Sequence, residues 1–230
     1  MQIDIVADLK TTLGEGPLWH PHREELFWFD ILHKRLHMKG EDGLTVWDMP
    51  DLTSAAAILS QDALLLASES ALWRFDIATG SQSRLVALDA EDSGTRSNDG
   101  RADRQGGFWI GTMGKRGPHD PGRGAIWRYH KGELRKLFPG LTIPNSICFD
   151  ATGTRMYFCD STTPRILHCR YDAATAAVSD VAVFVDLDLP GAEPDGSIID
   201  AEGALWNAQW GGSMRMCGSI WREQRILPSA

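Results

Sequence analysis

Asp200-Ala-Glu-Gly-Ala-Leu-Trp206 is a polar turn that runs straight into bulky apolar residues. An aspartate can cap a tight turn through its side chain, and glycine accepts the positive φ such turns require. The pattern recurs as Asp150-Ala-Thr-Gly-Thr-Arg-Met-Tyr157, Asp103-Arg-Gln-Gly-Gly-Phe-Trp109, Ser60-Gln-Asp-Ala-Leu-Leu65 and Pro21-His-Arg-Glu-Glu-Leu-Phe-Trp28. Anchored on Trp28, Leu65, Trp109, Tyr157 and Trp206, the repeats lie 37, 44, 48 and 49 residues apart. That is the length of a four-stranded propeller blade. Further β-type runs follow the turns, among them Ala71-Leu-Trp-Arg-Phe75, Ala125-Ile-Trp-Arg-Tyr129 and Arg165-Ile-Leu-His-Cys169. No long stretch keeps a 3.6-residue apolar period; residues 51–59 come nearest, and they follow Pro50. The chain reads as an all-β propeller with five visible hairpins.

Composition narrows the partners. Twenty-three basic against 31 acidic side chains give a net charge of -8, the wrong sign for a phosphate-neutralising surface, so no nucleic acid is expected. No segment approaches the ~20 apolar residues of a membrane helix, so no membrane partner is expected either. The opening Met1-Gln-Ile-Asp-Ile places an acid where a signal peptide needs an apolar core. The four cysteines (Cys148, Cys159, Cys169 and Cys217) form no Cys-x-x-Cys pair and read as reduced thiols of a cytoplasmic protein. A buried Cys148–Cys159 disulfide stays open as the alternative.

The repeat also locates a site. Counting five back from the turn residues His20, Asp103, Asp150 and Asp200 gives Glu15, Asn98, Asn145 and Asp195. The second repeat gives Ala55 by that count, or Ser54 counted eleven back from Leu65. Equivalent positions on the inner strands of a propeller converge on its central channel. Two carboxylates and two amides gathered there are costly to desolvate and repel one another without a cation. An oxygen-rich set of this kind suits one hard or borderline divalent metal ion, with Ca, Zn, Mg, Mn and Fe(II) all admissible. The plain alternative is a hydrated tunnel lined by polar side chains.

The flanking motifs sharpen this. Leu13-Gly-Glu-Gly-Pro-Leu-Trp19, Arg96-Ser-Asn-Asp-Gly100 with Gly111-Thr-Met113, Ile143-Pro-Asn-Ser146, and Pro194-Asp-Gly196 with Leu205-Trp206 together resemble the senescence marker protein/gluconolactonase/regucalcin family. The resemblance runs over 13–212 of one domain spanning 1–230, and leaves 213–230 as an atypical tail. It implies a six-bladed type of propeller that opens sugar lactones with a divalent metal. It further implies metal ligation by Glu15, Asn145 and Asp195, and substrate contact by Arg96 and Asn98. Fold alone does not fix activity.

The residue types suit that chemistry. A lactone needs its carbonyl polarised and water delivered to the carbonyl carbon, and a metal ion serves both needs. Asp195 is the candidate general base, although a carboxylate that binds metal tightly is a poorer base. Arg96 offers a rigid fork of donors, and Asn98 both a donor and an acceptor; the bland reading of Arg96 is an ordinary salt bridge. Strand topology brings the long basic segment Gly114-Lys-Arg-Gly-Pro-His-Asp-Pro-Gly-Arg-Gly124 out on the ligand face, as a lid favouring anionic substrates or as a plain solvated loop. The expected activity is metal-dependent hydrolysis of a small-molecule sugar lactone to the aldonic acid. The rival readings are a non-catalytic propeller used as a binding scaffold, or an inactive truncated homologue.

Other signals fail. On a strand His33 and His37 would sit about 13 Å apart, too far to chelate one ion. Asp186-Leu-Asp188 lacks the glycine and closing glutamate of a calcium loop. No Gly-x-Ser-x-Gly elbow or phosphate loop is present. Six blades at ~45 residues would need roughly 270 residues. Beyond Gly212 the sequence reads as lacking the outer strands of the fifth blade and all of a sixth, while residues 3–6 read as a closing strand with nothing to close. That predicts an unclosed ring with exposed edges, self-association and weak catalysis.

Overall fold

The computed structural model describes residues 5–172, 174–175, 177–187, 191–211, 219–222 and 225–226. The strands form five four-stranded antiparallel sheets, each built in simple sequence order. The first holds β1 (Gly14–His20), β2 (Glu25–Asp30), β3 (Arg35–Gly40) and β4 (Gly43–Asp48). The second holds β5 (Thr53–Ser60), β6 (Ala63–Ser68), β7 (Ala71–Asp76) and β8 (Gln82–Ala87). β9 (Thr95–Ala102), β10 (Phe108–Gly114), β11 (Gly124–His130) and β12 (Glu133–Leu141) form the third. β13 (Pro144–Phe149), β14 (Arg155–Asp160), β15 (Arg165–Tyr171) and β16 (Val178–Asp186) form the fourth. β17 (Glu193–Ile199), β18 (Leu205–Trp210), β19 (Ser219–Arg222) and β20 (Arg225–Ile226) complete the fifth. These are propeller blades, as the repeat predicts. A short 3-10 turn at Gly117–His119 is the only helical element among the described residues, and none is a helix long and apolar enough to cross a membrane.

The turn chemistry accounts for the hairpins. Asp103 accepts the Gln105 and Gly107 amides on Oδ1, and the Trp109 indole and Arg128 guanidinium on Oδ2. Asp200 repeats the scheme with the amides of Glu202 and Ala204 and the Trp206 indole. Asp150 caps its turn through the amides of Thr154 and Arg155. In each case the glycine of the motif sits in the left-handed region, with φ of 84° at Gly106, 68° at Gly153 and 82° at Gly203.

By internal contacts the chain divides into two compact units, 1–97 and 98–230. In the first, Phe27, Phe29 and Leu36 of one sheet interlock with Leu64, Leu66 and Phe75 of the next. In the second, Trp109 and Ile126 meet Ile147, Met156 and Phe158, and on the other side of that sheet Tyr157, Cys159 and Ile166 meet Leu205. Burying each such large side chain contributes about 1.5–3 kcal/mol. Cys148, Cys159 and Cys169 are buried free thiols, which removes the disulfide alternative, and Cys217 lies outside the described residues.

Two expectations need correction. The last sheet has all four strands: β19 and β20 supply the outer pair, with Trp221 opposite Leu205 and then Ile226. Ser219-Ile-Trp-Arg222 has enough β-forming character to pair, and strands of four and two residues are too short to betray themselves by alternation. The supposed closing strand at residues 3–6 fails at its described end, because Ile5 and Val6 lie outside any strand; Ile3 and Asp4 lie outside the described residues.

Candidate active site

A kink recurs where the inner strand of a sheet begins. The ladder skips between Glu15 and Leu18 in β1, between Thr53 and Ala55 in β5, between Asn145 and Cys148 in β13, and between Pro194 and Ser197 in β17. Such bulges bend a strand and re-aim its side chains. The pairs Gly14–Asp30, Thr53–Ser68, Pro144–Asp160 and Pro194–Gln209 immediately precede Glu15, Ser54, Asn145 and Asp195. These four residues therefore hold one ladder position, and in the second sheet it belongs to Ser54 rather than Ala55. The same ladder makes Phe27, opposite Leu18, the true counterpart of Tyr157 and Trp206, so Trp28 is one residue out of register. Gly16 and Ser146 complete their bulges with φ of 61° and 60°. A Cβ on Gly16 would stand 2.3 Å from the Ser54 carbonyl oxygen, so only glycine fits.

In three of these sheets the segment leading into the kink is tied from the next strand or from the turn that follows it. Asp30 accepts the amides of Thr12 (3.1 Å) and Leu13 (3.3 Å). Asp160 accepts those of Thr142 (2.7 Å) and Ile143 (3.1 Å), and Glu69 accepts that of Leu52 (3.3 Å). Burial pushes the Asp30 carboxyl up, but the His33 imidazole and three amides outweigh it and hold it below the usual carboxylate range. In the fifth sheet Gln209 takes this ladder place, and its Oε1 is buried without a partner among the described residues. Sequence reasoning missed these anchors. The available signal was an acid three after Phe27 and Tyr157 and four after Leu65.

Within the first unit, Glu15 and Arg96 are both partly buried. Burial lowers the Arg96 pKa, while the Glu15 charge opposes that shift. Arg96 also donates to the Ser97 carbonyl at 2.8 Å. The structure thus brings these two expected residues into one electrostatic neighbourhood.

Within the second unit, side chains stitch the inner strands together. Asn98 donates to the Pro144 carbonyl at 3.1 Å, and the Ile147 amide, left over by the β13 bulge, donates to Asp99 at 2.7 Å. Ser146 donates to the Asp195 carbonyl, as Ser161 does to Pro194, each at 2.6 Å. Since the Ser161 hydroxyl hydrogen is committed to Pro194, its oxygen must accept from Asn145 Nδ2, 3.0 Å away. That fixes which way round the amide sits and leaves its Oδ1 as the atom available to a ligand. Asn207 is held similarly, donating to the Asp195 carbonyl and to Ser146 and Ser197. Asn145 also hydrogen-bonds the Asp195 carboxyl. Burial, reinforced by the Asp99 charge, nevertheless pushes that carboxyl up to about 6. Burial likewise raises Asp99, with Arg101 opposing.

The basic loop spanning 114–124 does reach this end of the unit: the Gly122 amide donates to Thr142 Oγ1, three residues before Asn145. Its charge is largely spent internally, since buried Asp120 pairs with Arg116 and lies 3.7 Å from Arg123. Among the described residues, no three His, Cys, Asp or Glu side chains cluster as a metal site. The expected ligand set differs in kind, being two carboxylates and an amide.

Residues 13–219 match the family described as SMP-30/Gluconolactonase/LRE-like region. The chain belongs to this family. Similar proteins include an L-arabinolactonase of Azospirillum brasilense, 38% identical, with 92% of this chain and 71% of that protein aligned. A pentonolactonase of Haloferax volcanii is 33% identical, over 92% of this chain and 72% of the other. Among solved structures, a calcium-binding regucalcin from Agrobacterium tumefaciens superposes with a TM-score of 0.91 at 36% identity, covering 97% of this chain and 76% of that one. The SMP-30/gluconolactonase match runs past Gly212 into β19, beyond the span marked by the sequence motifs.

Proposed function

We propose that this protein hydrolyses a sugar lactone to its aldonic acid, using one divalent cation held by Glu15, Asn145 and Asp195. The donor chemistry fits such an ion. All three offer oxygen, and Asn145 is held through Nδ2, which makes Oδ1 the atom it can offer to an ion. The Asp195 carboxyl is raised by burial and by Asp99, the kind of carboxylate whose ionised form a cation stabilises. When bound, the ion would supply Lewis acidity toward the lactone carbonyl and lower the pKa of water. The identity of the ion is left to experiment, with calcium supported by the name of the regucalcin relative.

Asp195 takes a proton from the attacking water as the new C–O bond forms at the carbonyl carbon. The bond from that carbon to the ring oxygen then breaks, and the proton passes to the departing alkoxide. Arg96 and Asn98 contact the sugar, with the guanidinium fork suited to hydroxyls or a developing oxyanion. The single observation that carries this reading is Asn145 hydrogen-bonded to a partly buried Asp195 with a raised pKa, at one ladder position of adjoining sheets. The names of the two lactonase relatives put pentonolactones at the head of the substrates to try.

The test is ring opening of a panel of five- and six-carbon aldonolactones by the unsubstituted protein and by Asp195→Asn. Removing an acid–base group forfeits roughly 10²–10⁴-fold in rate. Turnover of at least one lactone that collapses in the variant at saturating metal supports the assignment. Equal rates in both proteins would sink it, and no turnover at all would favour a binding scaffold.

A further inference from the structure

Below the proposed ligands lies a charged pair that the hydrolytic reading does not use. Asp99 and Arg101 point off β9 two residues apart, and each reaches a different neighbouring inner strand. Asp99 accepts the Ile147 amide, which the bulge after Asn145 leaves without a ladder partner. Arg101 Nη2 donates to the Ser197 carbonyl at 3.3 Å, two residues past Asp195. The two charges also act on each other: Arg101 is the strongest influence opposing the burial of Asp99. The Arg101 Nε is buried with no hydrogen-bond partner among the described residues. A guanidinium whose Nε is shut away from solvent with its donor unsatisfied is a poor way to add stability, because an apolar side chain of similar volume is often as good or better.

We infer that Arg101 is a positioning residue: with Asp99 it forms a partly buried brace from β9 that fixes the bulges of β13 and β17 next to Asn145 and Asp195. Asp99 pins the first bulge, Arg101 pins the second, and their charges attract each other. The inference deepens the proposed function, since the two braced residues are its proposed ligands.

Amide hydrogen exchange on the metal-free protein tests the brace without relying on metal or lactone. Arg101→Met should speed exchange at least tenfold at Ile147 and at the amides around Ser197, and leave β6 unchanged. Arg101→Lys keeps the charge beside Asp99 but lacks the fork that reaches Ser197. It should preserve protection at Ile147 and still open β17, and it decides the matter if the methionine variant does not fold. Unchanged exchange at both places, or equal acceleration in β6, overturns the brace. A Mn²⁺ titration of the same samples separates the two ideas. Affinity that falls tenfold or more with the brace supports the coupling, and failure of the unsubstituted protein to bind Mn²⁺ overturns the functional reading while the exchange result stands on its own.

Discussion

At the scale of single residues, the roles proposed for the site differ in charge and so respond differently to substitution. Glu15→Gln keeps shape and removes a charge, so divalent-ion affinity should fall by an order of magnitude or more in a calorimetric titration; an unchanged isotherm counts against the ligand set. Arg96→Ala removes a substrate contact while keeping all three ligand side chains, so it should raise KM well above its effect on kcat. An equal fall in kcat with unchanged KM would instead give Arg96 a role confined to the transition state. Glu15, Asn98, Asn145 and Asp195 were legible because the turns count them into one register. Asp99 and Arg101 were not singled out, although Asp99 lies inside a quoted motif. Their partners, Ile147 and Ser197, stand 48 and 96 residues away on other strands, and nothing local in the chain signals those contacts.

At the scale of elements, the sheets are set by two kinds of carboxylate. Asp103 has a fully buried side chain and serves two amides, an indole and a guanidinium. Asp103→Ala breaks the buried ion pair with Arg128, so it should cost about 3–5 kcal/mol in denaturant unfolding. Asp150→Ala, at an exposed turn, should cost roughly 1 kcal/mol. Equal costs would refute the distinction. Asp30 ties down the segment before Glu15, and its pKa is lowered on folding. Its contribution to stability is therefore complete above the unfolded value of about 4 and is lost as pH falls through the lower folded value. Asp30→Asn should flatten the acid side of the stability profile below about pH 4, and an unaltered profile would remove Asp30 from the account. The turn aspartates were readable from sequence because they cap their own hairpins. Asp30 and Asp160 were not, because each serves a strand that begins some 15 residues earlier.

At the scale of the whole molecule, the repeat length sufficed to name the blade. Five anchors at blade spacing predicted five sheets, and five four-stranded sheets are described. What the repeat could not show was the last outer pair, where β19 and β20 are too short for a readable period. Anchoring the first blade on Trp28 rather than Phe27 had a similar cause: Leu26-Phe-Trp-Phe29 is apolar at every position, so alternation does not choose between faces. Family membership and fold are secured by similarity over nearly the whole chain, whereas activity is a matter of the site. The most direct measurement is the rate of pentonolactone ring opening by chelated protein as a divalent ion is added back. The account predicts negligible activity after chelation and full recovery at one ion per chain. Chelated protein that hydrolyses the lactone as fast as the reloaded protein would contradict it.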